Sequence, residues 1–302
     1  MGYFYFKPSN PQYFFPLNFV KHQFLTSFFK PYTLFGRVFW WVWNKFPFVR
    51  NIYKVDNIER FVPEKFIKSI VGEQSILAFN TGTLGPERKT TVLGVSGKTE
   101  EKFFLKFSKD DLPKENIMNE GAILTQLGHL EYVPQVLKTH LSDDYYVLKT
   151  TIFQGKRLGN IELNEKILTL IFDINNQEVN TSKNFEKNII SCFSHGDFCP
   201  WNLILEDDQI MVFDWEMAGT YPLGYDLFTY IFQTTFLLNP KKGIEEIFNS
   251  NLIHIENYFS HYGKTDWSIY LQAFGEIKFE FESEKENLQL MNHFKSLLDY
   301  VK

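Results

Sequence analysis

From Ser75 onward, apolar residues fall into short β-branched and aromatic runs divided by turn formers. Ser75–Phe79 (SILAF) and Thr90–Val95 (TTVLGV) have strand composition, and the Gly-bearing loop Asn80–Lys89 (NTGTLGPERK) joins them. A second turn, Ser96–Glu101, leads into Lys102–Phe107 (KFFLKF), so the three runs predict an antiparallel meander. A helix follows: Asp110 or Asp111 can cap it, Pro113 suits its first turn, and the apolar spacing continues to about Leu127. Tyr145–Thr150 predicts another strand before Gly155. Leu203–Leu205 and Ile210–Phe213, reversed at Glu206–Gln209, predict a hairpin, and residues 231–302 read as mostly helical. Strands first, one helix among them and a helical remainder predict an α+β chain of two lobes, a small antiparallel-sheet lobe and a larger helical one.

Residues 1–60 have a different texture. They hold 20 of the 54 Phe, Tyr and Trp residues, and eight Lys or Arg against only Asp56 and Glu59. Pro8, Pro11, Pro16, Pro31 and Pro47 break this stretch into what reads as short helical or irregular pieces. The expected division is therefore an aromatic, basic extension (1–60), an N-terminal lobe (61–150) and a C-terminal lobe (151–302). Phe28–Arg50 suits either a membrane interface or a cover on the small lobe. The cover is favoured, because the prolines prevent a long amphipathic helix, and peripheral membrane contact is the less favoured reading. The most apolar run, Val38–Trp43, is far shorter than the roughly 20 residues that span a bilayer.

A net charge of −5 argues against a nucleic-acid partner. Cys192 and Cys199 make neither a disulfide framework nor a zinc pattern, and with no signal-peptide order at the N-terminus the expected location is the cytoplasm.

Candidate chemistry begins in the helix after Pro113. Ile117, Leu124 and Leu127 line one stripe, and Glu120 falls within it. A carboxylate there needs a cation, for which Lys106 on the preceding strand is the candidate; the alternative is that Glu120 stays wet at the stripe's edge. Further on, Asp197 and Asn202 sit five apart in a loop that Gly196 and Pro200 keep from being helical, and the predicted hairpin brings Asp214 beside them. Phosphoryl transfer from MgATP needs such a set. It requires a carboxylate for the attacking hydroxyl, an amide and a carboxylate for Mg²⁺, a cation on the phosphates, and a loop whose N–H groups cover them. Lys106 and the Asn80–Lys89 loop, with Thr81, Gly82, Thr83 and Gly85, occupy the last two roles in the right order.

These residues resemble the aminoglycoside phosphotransferase and choline kinase family, which shares the protein-kinase fold. Its HxDxxxxN motif is matched by His195, Asp197 and Asn202, its metal-binding segment by Phe213–Glu216 (FDWE), and its Pro-Leu-x-x-Asp-Leu by the segment that holds Asp226. The resemblance runs from about Ser75 to Tyr230. It implies Asp197 as catalytic base, Asn202 and Asp214 as magnesium ligands, Lys106 as the phosphate contact held by Glu120, and His195 as a brace for the loop. Glu216 would be a further partner of metal or substrate. The glycine loop departs from the family's kin in protein kinases, since Gly82 and Gly85 form no GxGxxG.

Eleven residues between Asp214 and Asp226 leave no room for a peptide-docking activation segment. The expected acceptor is therefore a small-molecule hydroxyl on a sugar, an amino alcohol or an aminoglycoside, with ATP as donor and GTP as the alternative. The competing reading is an inactive kinase fold serving as a scaffold. Glu276, Glu280, Glu282, Glu284 and Glu286 could attract a polycation, although a solvated helix face explains them more cheaply. Trp201 and Trp215 could stack on a sugar or an ammonium, although core packing is the commoner role.

Overall fold

The computed structural model describes residues 2–5, 12–17, 23–28, 34–46, 54–55, 57–158, 162–185, 187–264 and 266–301. The chain divides into two compact units, Met1–Gly121 with Gln135–Ile152, and Ala122–Pro134 with Phe153–Lys302.

The first unit is built on strands β1 (Tyr3–Tyr5), β2 (Tyr13–Pro16), β3 (Lys54–Val55), β4 (Ile76–Asn80), β5 (Thr90–Val95), β6 (Lys102–Ser108), β7 (Val136–Leu141) and β8 (Tyr146–Thr150). They form one antiparallel sheet in the order β3-β1-β2-β4-β5-β6-β8-β7. Its helices are α1 (Leu34–Lys45), α2 (Glu64–Val71) and α3 (Asp111–Gln126), the last counted here as far as Gly121. The predicted meander β4-β5-β6 and the helix after it are present, with Thr91 paired to Lys106 and Ile117, Leu124 and Leu127 buried.

Residues 1–60 correct the expectation of helical or irregular pieces. They supply three strands as well as α1, and β2 pairs directly with β4 through Phe14 and Phe79. Strands β1 and β2 show no alternation because the sheet is covered on both faces there, so their positions are filled by Tyr, Phe and Pro. Tyr3 and Phe14 belong to the cluster with Ile67 of α2, whereas Phe4 and Phe15 join Leu25 and Trp43 of α1 on the other face. Pro16 ends β2, where a missing N–H costs little. Pro8, Pro11, Pro31, Pro47 and Asp56 lie outside the described residues.

The second unit holds two small sheets. One pairs β10 (Ser191–Ser194) with β13 (Gly219–Pro222); the other has the order β12-β11-β9, from β9 (Lys156–Arg157), β11 (Leu203–Glu206) and β12 (Gln209–Val212). Helix α4 (Glu165–Asn175) is capped by Asn164, whose Oδ1 accepts the Ile167 N–H at 3.2 Å. After β13 come α5 (Tyr225–Phe228), a π-helical turn (Thr229–Gln233), α6 (Thr234–Leu238), α7 (Ile244–His261), α8 (Ser268–Glu284) and α9 (Leu288–Val301). They meet around a core of aromatic rings in which Phe228 packs against Phe259 and Phe274. The helical reading of residues 231–302 therefore holds, and the stretch between Gly155 and His195 carries a single helix among the described residues.

Candidate active site

In the first unit, the Lys106 Nζ lies 2.6 Å from the Glu120 Oε2 and both residues are buried. Lys106 is aimed by β6 and Glu120 by the third turn of α3, so the stripe position that looked too polar for a core is met by a cation. The loop after β4 has its own internal order. Gly82, at φ +72, donates its N–H to Asn80 Oδ1 at 3.0 Å, and a Cβ there would come 2.6 Å from the Lys89 carbonyl oxygen. Thr81 is buried, its N–H bonded to the Gln12 carbonyl and its own oxygens held by the Arg88 guanidinium. Thr83 and Gly85 stand exposed at the loop tip.

In the second unit, His195–Asn202 leaves β10 and enters β11 through a short 3-10 turn opened by Pro200. Three groups hold the loop's backbone. Asp226, fully buried in α5, accepts the N–H groups of His195 at 2.7 Å and Gly196 at 3.0 Å. Burial pushes the Asp226 carboxyl up, and the two N–H bonds from His195 and Gly196 oppose that shift. Lys278, buried in α8, reaches the Gly196 carbonyl at 3.4 Å and lies over the Tyr225 ring at 4.9 Å. Gly196 itself has φ +83, and a Cβ would meet the Met217 carbonyl oxygen at 2.2 Å.

His195 braces the loop against the hairpin. Its Nε2 lies 3.1 Å from the Phe213 carbonyl, an acceptor only, so that nitrogen carries the proton and Nδ1 accepts the Asp197 N–H at 3.3 Å. Its ring packs on Trp215, which is wholly buried and bonded to the Val212 carbonyl, so Trp215 is a core residue.

The Asp197 carboxylate is oriented at both oxygens. Oδ1 accepts from Gln233 Nε2 at 2.7 Å and from the Cys199 thiol at 3.7 Å, while Oδ2 accepts from Asn202 Nδ2 at 3.0 Å. Burial and the nearby Asp197 charge push the Cys199 thiol up, which keeps it a donor. Burial lowers the Lys278 ammonium, and the Asp197 carboxylate counters this.

The predicted hairpin is in register. Leu203 pairs with Val212 and the Phe213 N–H bonds the Asn202 carbonyl at 3.1 Å, which delivers Asp214 next to Asn202. Asp214 has φ 71, a left-handed conformation uncommon for a side chain other than Asn, Asp or Gly. Since Asn202 turns its Nδ2 to Asp197, its amide oxygen faces the other way. The chemistry of this pair, an amide oxygen and a carboxylate, fits a hard divalent cation.

Gln233 and Lys278 were not legible as site residues in the sequence. Of the C-terminal glutamates, Glu276 accepts from Gln272, Glu280 lies near Lys187 and Glu282 accepts from Asn287, as a hydrated helix face would.

This architecture is the protein-kinase-like fold. Residues 183–244 match the sequence model of the phosphotransferase enzyme family (APH), and the matched stretch runs from ahead of β10 to the first residue of α7. Among solved structures, the chain is similar to the amicoumacin kinase hAmiN in complex with AMP-PNP, Ca²⁺ and Ami. The identity is 10%, with 80% of this chain and 94% of that chain covered and a TM-score of 0.53. It is also similar to a thermostable mutant of aminoglycoside phosphotransferase APH(4)-Ia in ternary complex with AMP-PNP and hygromycin B. There the identity is 12%, with 79% and 97% covered and a TM-score of 0.50. Comparison with curated proteins returns no match. The family match is confined to residues 183–244 of the chain, and the structural likenesses give the fold.

Proposed function

We propose that the chain transfers the γ-phosphate of MgATP to the hydroxyl of a small molecule such as a sugar, an amino alcohol or an aminoglycoside. The observation that carries this reading is the Asp197 carboxylate, held at both oxygens by Gln233, Cys199 and Asn202 on a loop that Asp226 and Lys278 fix from below. In this reading Asp197 orients the acceptor hydroxyl and takes its proton as the oxygen attacks the γ-phosphorus. The bond from phosphorus to the bridging oxygen breaks, and ADP leaves with the electron pair. Lys106, held by Glu120, contacts the phosphates, and the exposed tip around Thr83 and Gly85 covers them. Asn202 and Asp214 are the residues that would hold magnesium, which when bound neutralises phosphate charge. Their oxygen donors support that assignment. His195 acts through the loop, as its bonds to Phe213 and Asp197 indicate.

Titration calorimetry of ATP and of GTP into the full chain, with and without magnesium, tests the donor site; binding that requires magnesium is expected. Asp197→Asn then tests the base. Both of its carboxylate oxygens face donors, so the new amide NH₂ is accommodated by a flip of the Gln233 amide. Phosphate transfer should be lost while magnesium-dependent ATP binding stays. Full turnover by Asp197→Asn would sink the assignment.

A further inference from the structure

We propose that the outward face of α1 is a docking surface for an anionic lipid bilayer. The helix reads LFGRVFWWVWNK, and its two sides differ. Trp43 is wholly buried in the apolar cluster of the first unit, with Phe39 and Trp40 packed against that cluster. On the opposite side, Leu34, Val38 and Trp41 follow one another at spacings of four and three, which places them in one line along the helix. Their exposures are 79%, 54% and 54%, so three large apolar side chains in a row face solvent. Lys45 continues the line one turn on, with its ammonium 5.0 Å from the Trp41 ring, and exposed Arg37 flanks it.

Charge identifies the occupant. Residues 1–55 contain seven Lys or Arg and no Asp or Glu, whereas the other 247 residues carry the remaining 24 Lys or Arg against 36 Asp or Glu, a net of −12. A second copy of the chain would bring Arg37 and Lys45 of both copies together, which opposes self-association. A bilayer rich in anionic headgroups satisfies both halves of the pattern: apolar side chains enter the acyl boundary, tryptophan sits at the interface, and the cations remain among the headgroups. At twelve residues α1 is about 18 Å long, too short to span, and its inner side is already buried in the unit, so it lies in the membrane plane. Among the described residues no helix is long and apolar enough to cross a membrane.

The test uses the full chain, because deleting residues 1–56 would also strip β1, β2 and β3 from the sheet. Flotation is measured with vesicles of phosphatidylcholine alone and of equal parts phosphatidylcholine and phosphatidylglycerol. The wild type should float with the anionic vesicles only and come off as salt is raised. Trp41→Glu and Val38→Glu, both at solvent-facing positions, should bind about ten-fold more weakly or worse, and Arg37→Glu should also bind more weakly. Thermal melts confirm the fold of each variant, and Arg37→Glu keeps the test open if an apolar-site variant unfolds. No flotation of the wild type, or unchanged flotation of folded variants, overturns the proposal. So does a dimer, or a complex with an acidic polypeptide, that the same substitutions dissolve while vesicles go unbound. None of these readouts involves phosphate transfer, so the result stands apart from the reading of the active site.

Discussion

Removing one partner of the Lys106–Glu120 pair should cost far more than the pair is worth as a whole. The two side chains are 7% and 4% exposed and 2.6 Å apart. Glu120→Leu takes this carboxylate from the buried ammonium of Lys106, a loss of about 3–5 kcal/mol. Lys106→Met takes the ammonium from the carboxylate instead, and this variant should have a pH signature. Loss of the Lys106 ammonium from this buried site favours the neutral carboxyl, so the folded-state pKa of Glu120 in the variant should lie above its unfolded value. The folded variant then keeps its stability below the unfolded pKa and loses it as the pH rises through the folded one, so it should be more stable near about pH 5 than at neutrality. Lys106→Met combined with Glu120→Leu removes both charges, and its loss should fall well short of the sum of the singles. Urea unfolding of the full chain, followed by circular dichroism, reads these differences. A 3 kcal/mol loss moves the midpoint by roughly 1–3 M at ordinary urea slopes. Single variants within about 0.5 kcal/mol of wild type, or a double variant whose loss equals the sum, would refute the reasoning.

Three further outcomes follow from the second unit. Gln233→Leu removes the 2.7 Å bond to Asp197 and should lower turnover roughly 10- to 100-fold with ATP affinity unchanged, as coupled ADP release and calorimetry would show; unchanged turnover would leave Gln233 with a packing role only. Burial takes the Cys192 thiol from 9.0 up to about 12, so it should alkylate up to about 1000-fold more slowly than a free thiol below pH 9. Because the folded value is the higher, native stability should also decline as the pH climbs from 9 toward 12; fast native labelling by mass spectrometry would contradict both. Gly196→Ala combines the positive φ with a Cβ pressed against the Met217 carbonyl, and a loss of about 3 kcal/mol or more in thermal unfolding is expected, with a near-wild-type melt counting against that geometry.

The parts of this fold that the sequence made legible are those with a period or a punctuating residue. The runs of the meander β4-β5-β6 are set apart by the turns at Asn80–Lys89 and Ser96–Glu101, the hairpin β11-β12 is reversed by EDDQ, and Pro113 falls in the first turn of α3. Strands β1 and β2 have neither, because burial on both faces turns YFY and YFFP into unbroken aromatic runs that read as disorderly. The site divides in the same way. His195, Asp197, Asn202 and Asp214 stand at fixed spacings that a hairpin must bring together, so they could be read. Gln233 lies 36 residues from Asp197 within a π-helical turn, and no spacing announces it. Lys278 sits in a helix rich in glutamate and reads as one more surface cation, yet it is buried, with its ammonium over the Tyr225 and Phe274 rings and in reach of the loop carbonyl.

The insertion of β2 beside β4 has a practical consequence. Without the first two strands, the β4 ladder Ile76–Asn80 would present its amides and carbonyls along an open rim, with Leu77, Ala78 and Phe79 losing part of their cover. An open ladder of that composition recruits whichever extended chain reaches it first. A protein shortened to begin near residue 57 should therefore polymerise by strand donation, and a synthetic peptide covering residues 1–17, supplied during refolding, should suppress that assembly by filling the vacated slot.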